Sequence, residues 1–198
     1  MPTLDEQVRW TAFALLVEHG RPVEVDRLVA AMPADADPSA VRDAIPRLGA
    51  GGQLDIGSDG AVVGAVGLTL GPAPHRLLLR GRDYRTWCAY DAIGIVAALG
   101  EPGSLSTHCG ICARAIALRL PESAVAERPE RLWLSAGGDD LRADFCAPTV
   151  LLCSPEHGET WAGRQQGRGR LLDLRSAARL GAGAWASPAR EAGRVAAG

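Results

Sequence analysis

The stretch Tyr84-Arg85-Thr86-Trp87-Cys88-Ala89-Tyr90-Asp91 decides how this chain is read. With Asp83 as the N-cap, the apolar periodicity predicts a helix from Tyr84 to Leu99. On it Cys88 and Asp91 stand three apart, so both side chains occupy one face. A thiol beside a carboxylate is an uncommon pairing. The carboxylate can accept the thiol proton and hold it close to whatever the sulfur binds. Two negative charges at that spacing repel, so the pair shares a proton and titrates as a unit. On this reading Cys88 lies too deep in the helix for the helix dipole alone to lower its pKa much. A structural role suits the same residues: a buried free cysteine packs as a small hydrophobe, and an aspartate on a helix is ordinarily solvated.

Downstream of this helix, strand-like runs occur at Ala115 to Leu120, Arg131 to Ser135 and Thr149 to Cys153, with a helical stretch from His157 to Gln166. A short strand at Arg170 to Leu174 and a weak helix from Arg175 to Trp185 follow. The last dozen residues, rich in Ala, Gly and Arg, read as a frayed tail. Strands mixed with helices imply an α+β or α/β layer arrangement.

Upstream, Leu4 to His19 reads as an amphipathic helix stopped by Gly20, with Val8, Ala12, Leu15 and Leu16 on one face. Two shorter helices follow at Val23 to Met32 and Ser39 to Leu48, the latter capped by Asp37 or Ser39. Then come Gln53 to Ile56, the turn Ser58-Asp59-Gly60, Ala61 to Leu70 and His75 to Leu79, a hairpin signal. Three helices and a hairpin form the pattern of a winged helix. The charge disagrees with DNA binding, because residues 1–80 carry seven arginines against ten acidic residues. A basic stripe is missing. The better reading of this segment is a helical domain that packs against the remainder.

The whole chain is 198 residues with a net charge of -2, which gives no electrostatic reason to bind nucleic acid or an anionic membrane. The N-terminus lacks the apolar core of a secretory signal, and the longest apolar run, Ala92 to Leu99, falls far short of the ~20 residues a membrane span needs. A soluble, cytoplasmic protein is expected. In a reducing compartment the five cysteines point to free thiols, metal binding or catalysis rather than to a disulfide framework.

Cys146, in Asp144-Phe145-Cys146-Ala147-Pro148, precedes an apolar strand and suits either the mouth of a pocket or a core position. Cys109 and Cys112 form a Cys-x-x-Cys with His108 adjacent, a weak zinc or redox signal. A closed zinc site needs four ligands, and no second pair of cysteines follows. Cys146 or Cys153 could contribute, although their spacing matches no familiar zinc pattern. No strand of the thioredoxin type leads into the pair.

The run Tyr84 to Asp91, then Thr107-His108-Cys109, then Phe145-Cys146, resembles the successive signature blocks of organomercurial lyases (alkylmercury lyases). Gly20-Arg21-Pro22-Val23, Gly67-Leu68-Thr69-Leu70, Trp161 and Gln165-Gln166-Gly167 extend the resemblance over nearly the whole chain. It implies an α+β fold with a winged-helix-like N-terminal domain, residues 1–80, packed on a mixed-sheet catalytic core, residues 81–198. It also implies that Cys88 and Cys146 are the two mercury-binding, bond-breaking cysteines, that Asp91 handles the proton, and that Cys109 is structural.

There are two departures from the family pattern: Ala147 stands where a second cysteine is common, and Cys112 has no counterpart. The implied reaction converts R–Hg–X to R–H and Hg(II), which rests between the two sulfurs before passing to external cellular thiols. No organic cofactor or permanent metal is expected, and a separate mercuric reductase is the expected functional partner. The alternatives are a lyase-like soft-metal-binding protein without bond cleavage, a metal-responsive winged-helix regulator using Cys109, Cys112 and His108, and a thiol oxidoreductase using Cys109 and Cys112.

Overall fold

A computed structural model describes residues 2–120 and 128–197. The chain forms two compact units, Met1–Pro72 with Ser187–Gly198, and Ala73–Ala186.

In the first unit, Thr3 and Glu6 form a capping box that starts α1 (Leu4–His19), and Gly20 ends it in the left-handed conformation, φ 62°. Helices α2 (Val25–Ala31) and α3 (Pro38–Ala50) follow, the second capped by the Asp37 carboxylate, which accepts the Ser39 N–H at 3.0 Å. Leu16, Leu28, Val41 and Leu48 are buried here. The strands β1 (Leu54–Ile56), β2 (Val62–Ala65) and β3 (Leu68–Thr69) pair antiparallel in that order. The single run expected from Ala61 to Leu70 is therefore two strands. Val66 and Gly67, at φ 53° and 89°, turn the chain back between them.

The second unit begins with β4 (His75–Leu79) and β5 (Arg82–Thr86), joined by Arg80 and Gly81 at φ 53° and 71°. Positive φ at both central residues is the hairpin turn that matches strand twist. It overturns the helix expected from Tyr84. Tyr84 and Thr86 are buried while Arg82, Asp83 and Arg85 face solvent, a period of two rather than 3.6. Asp83 is no N-cap; its carboxylate pairs across the hairpin with Arg76 at 2.6 Å. The helix α4 begins only at Ala89 and runs to Leu99.

After α4 come β6 (Gly103–His108) and β7 (Ala115–Leu120), giving a sheet order β5-β4-β6-β7 in this unit. Strand β6 was not expected: only Leu105 and Thr107 of it are buried, and Leu105 is its one large apolar residue. A second antiparallel sheet has β8 (Arg131–Ser135) at its centre, flanked by β9 (Val150–Leu152) and β10 (Gly169–Asp173). A π-helical turn, Leu141–Cys146, lies between β8 and β9, and α5 (Pro155–Arg164) lies between β9 and β10. Helix α6 (Leu174–Ala184) packs closely on α4. A Cβ on Gly181 would clash with Gly94 Cα, and one on Gly94 would clash with the Trp185 ring.

The expected frayed tail is instead a helix, α7 (Ala186–Ala196), with Pro188 and Ala192 buried. Side-chain bonds tie it into the first unit: Thr11 Oγ1 donates to Glu191 at 3.1 Å and Arg194 to the Ala31 carbonyl at 3.0 Å. Among the described residues no helix is long and apolar enough to cross a membrane.

Candidate active site

Cys88 is the N-cap of α4, in extended conformation at φ -138° and ψ 171°. Its backbone N–H donates to Asp91 Oδ2 at 2.7 Å, and its sulfur accepts the Asp91 N–H in return. The two residues thus close a capping box with cysteine in place of serine. The spacing of three expected from the sequence holds, but its meaning changes: the pair sits at the helix start, where free N–H groups and the dipole favour negative charge. Thr86 fixes the approach by donating to the Cys88 carbonyl at 2.9 Å.

Burial dominates the electrostatics. Cys88 is fully buried and Asp91 nearly so. Burial pushes the Cys88 thiol well up, assisted by its hydrogen bond with Cys146 and by the charge of Asp91. Burial likewise raises Asp91 to about 7, against the opposing Cys88 N–H and the Arg142 guanidinium.

Cys146 closes the π-helical turn, which is shaped from its other end. Asp140 accepts the N–H groups of Arg142 and Ala143 at 2.8 and 2.9 Å, and Ser135 Oγ donates to the Asp144 carbonyl at 2.7 Å. Cys146 is buried, and its sulfur, the Cys88 sulfur and an Asp91 carboxylate oxygen all lie within 4.8 Å of one another. The three residues singled out in the sequence are therefore brought together. Arg142, which the sequence reading passed over, stacks its guanidinium 3.3 Å from the Trp87 ring centroid. Tyr90 contacts Phe145 and Trp185 edge-on at 6.5 and 5.1 Å. Two sulfurs and a carboxyl group in a dry site can hold a soft metal centre while a proton moves beside it.

The remaining cysteines form a separate cluster. Cys109 and Cys112 meet Cys153 and His157, with their donor atoms all within 4.8 Å of one another. Cys109 Sγ lies 3.4 Å and Cys153 Sγ 3.2 Å from His157 Nδ1, and Cys112 Sγ lies 3.7 Å from Cys153 Sγ. His108 is not part of this group; it is exposed on β6 opposite Ala115. Burial raises the Cys109 thiol, but N–H donors from Cys112, Ile111 and Cys153, with His157, outweigh it and bring the thiol down to about 6. Burial and the neighbouring cysteines push Cys153 up to about 11. No second pair of cysteines follows Cys112 in the sequence; the second ligand pair is Cys153-Ser154-Pro155-Glu156-His157, a Cys-x-x-x-His entering a helix, for which the Ser-Pro helix start is the local signal.

With both clusters placed, the comparisons with known proteins bear directly on them. The family model described as MerB, alkylmercury lyase, matches residues 68–186, a span that holds both clusters.

The chain belongs to the alkylmercury lyase family.

Relatives named alkylmercury lyase include one from Streptomyces lividans, 29% identical over 157 residues, which are 77% of this chain and 70% of the relative. Another, from Bacillus cereus, is 30% identical over 133 residues, 65% of this chain and 60% of the relative. The matched stretch thus spans less than two thirds of the Bacillus cereus alkylmercury lyase. The crystal structure of the mercury-bound form of MerB2 shares the fold, with a TM-score of 0.80 over 96% of this chain and 93% of that chain at 17% identity. The α+β class expected from the sequence agrees with this alkylmercury lyase fold, a mixed α/β chain with antiparallel sheets.

Proposed function

We propose that this chain cleaves the carbon–mercury bond of R–Hg–X by protonolysis, with Cys88 and Cys146 as the mercury-binding thiols and Asp91 as the proton carrier. The observation that carries the reading is the convergence of two buried sulfurs and one buried carboxyl oxygen within 4.8 Å of one another. Mercury is very soft, and thiolate sulfur is the softest ligand a protein chain offers.

One thiol displaces X from R–Hg–X, and its proton leaves as HX. The second sulfur binds mercury as its proton passes to the Asp91 carboxylate. Burial raises the Cys88 thiol, so this thiol needs that base. Two sulfur ligands increase the electron density on mercury and on the carbon bound to it, which makes that carbon basic. Protonated Asp91 then delivers its proton to the carbon, R–H departs, and Hg(II) stays between the two sulfurs until external thiols remove it. A carboxyl group raised to about 7 can both take and return a proton near neutrality. The Ala147 departure leaves this scheme intact, because the scheme uses only the sulfurs of Cys88 and Cys146.

The same proposal includes a cytoplasmic location, a functional link to a mercuric reductase and no resident organic cofactor. It also includes a winged-helix-like N-terminal domain, residues 1–80, before a catalytic domain, residues 81–198. The succession α1, α2, α3 and the antiparallel β1-β2-β3 supports the winged-helix part.

Phenylmercury with excess thiol is the test. Release of benzene into the headspace that vanishes in Cys88→Ser and Cys146→Ser and falls steeply in Asp91→Ala supports the reading. Stoichiometric mercury binding without benzene overturns it and leaves a soft-metal-binding relative.

A further inference from the structure

We propose that Cys109, Cys112, Cys153 and His157 hold a structural zinc ion, separate from the site where mercury chemistry is placed. The donor set is three sulfurs and one imidazole nitrogen, one of the closed structural sets for zinc. The spacing fits as well. With zinc–sulfur bonds of roughly 2.3 Å and zinc–nitrogen bonds of roughly 2.0 Å, a tetrahedron has edges of about 3.8 Å between sulfurs and about 3.5 Å between sulfur and nitrogen. The structure has 3.7 Å between Cys112 and Cys153, and 3.4 and 3.2 Å from His157 Nδ1 to Cys109 and Cys153.

The backbone is arranged for this donor set on both sides. Cys109 to Ala113 form a tight knuckle between β6 and β7. The Cys109 N–H donates to the Arg114 carbonyl at 2.9 Å, the Ala113 N–H donates back to the Cys109 carbonyl at 3.0 Å, and Ala113 takes a φ of 57°. The knuckle aims the Ile111 and Cys112 N–H groups at the Cys109 sulfur, and the Cys153 N–H reaches the same atom at 3.4 Å. Hydrogen bonds of this kind orient and stabilise a ligating thiolate. The second pair flanks the start of α5, where Ser154 Oγ accepts the His157 backbone N–H at 3.3 Å and so caps the turn that carries the imidazole. Arg114 donates to the Cys153 carbonyl at 3.1 Å, placing a positive charge near the Cys153 sulfur.

Mercury(II) would need only two of these sulfurs. The fourth donor, and the arrangement of all four about a common centre, fit a borderline ion that seeks tetrahedral coordination. The ion would tie the β6–β7 hairpin to the β9–α5 junction, seven residues beyond Cys146.

The full chain, purified without a histidine tag or chelator and under reducing conditions, tests this by elemental analysis. About one zinc per chain is expected, retained in Cys88→Ser and Cys146→Ser and lost in Cys112→Ser and His157→Ala. Cobalt(II) added to chelator-treated wild-type protein should give the intense visible absorption of a tetrahedral thiolate complex, a readout that survives if the variants do not fold. Absence of both zinc and the cobalt spectrum overturns the proposal. So does a Cys112–Cys153 disulfide in the reduced preparation, or zinc that follows Cys88 and Cys146 instead. The lyase reading is tested separately by benzene release and can fail without disturbing these outcomes.

Discussion

The second unit carries two sulfur clusters of opposite construction. Cys88, Asp91 and Cys146 are all buried, and they come from a helix N-cap, its first turn and a π-helical turn. Packing of α4 through the Gly94–Gly181 approach and the Trp185 ring holds Cys88 and Asp91, and the Asp140 and Ser135 hydrogen bonds hold the turn that carries Cys146. Cys109, Cys112, Cys153 and His157 include an exposed cysteine and are positioned by short local turns. In the proposed reaction the first cluster offers two sulfurs and an acid that exchanges its proton, so a metal held there can be released. The second offers four donors and no acid, which suits an ion that stays. Donor count and the neighbouring proton, more than cysteine content, separate a site of turnover from a staple.

The largest expected effects break the comparison if they fall on the wrong cluster. Cys88→Ser and Cys146→Ser should abolish benzene release, and Asp91→Ala should lower it by about 10²–10⁴-fold, the usual worth of a positioned acid or base. Zinc content should not change in any of the three. If His157→Ala lost activity as completely while keeping its thermal stability, the two clusters would be one functional site. Removing zinc comes next. Calorimetry of chelator-treated protein should show Tm lower by roughly 5 °C or more, and the same drop should appear in Cys88→Ser.

Gly94→Ala probes the packing that positions α4. Its methyl group would press into the Trp185 ring, and a loss of about 1–3 kcal/mol is expected from urea unfolding, with zinc content unchanged. A smaller effect follows from Asp91. Its carboxyl titrates at 3.8 when unfolded and about 7 when folded, so the folded state binds the proton more tightly. Stability therefore falls as pH rises between those values, and the full cost of burying the charge is present above about 7. Asp91→Asn, which keeps an acceptor for the Cys88 N–H, should gain on the order of 1 kcal/mol near pH 8 and lose that gain as the pH approaches 4. The kcat/KM of the unaltered chain should fall as pH drops through about 7, because Asp91 then already holds its proton. The smallest change is Arg142→Ala: removing the guanidinium that opposes the effect of burial should move this midpoint upwards.

The sequence was most legible where local signals agreed. Leu4–His19 was readable to the residue because its periodicity ends at a glycine that takes positive φ. The helix predicted from Tyr84 failed because Trp87 to Leu99 is apolar enough to extend any periodicity backwards. The Arg80-Gly81 turn that makes 82–86 a strand is a weaker signal than a turn with asparagine or aspartate. Strand β6 has too little apolar alternation to be seen alone, and becomes a strand because β4 and β7 supply its hydrogen-bond partners. The terminal helix was hidden by its composition. It is ordered by Thr11 and Ala31, residues that meet it only in space.

The residues of the first cluster are legible in one dimension: the spacing of Cys88 and Asp91 is local chemistry, and Cys146 follows from the family resemblance. Folding adds that Cys88 caps its helix, that burial lifts Asp91 to about 7, and that Cys153 and His157 complete a four-donor group with Cys109 and Cys112. Cys109 and His157 stand 48 residues apart in the sequence and meet only in space. Burial and donor geometry are properties of the meeting and not of either segment alone.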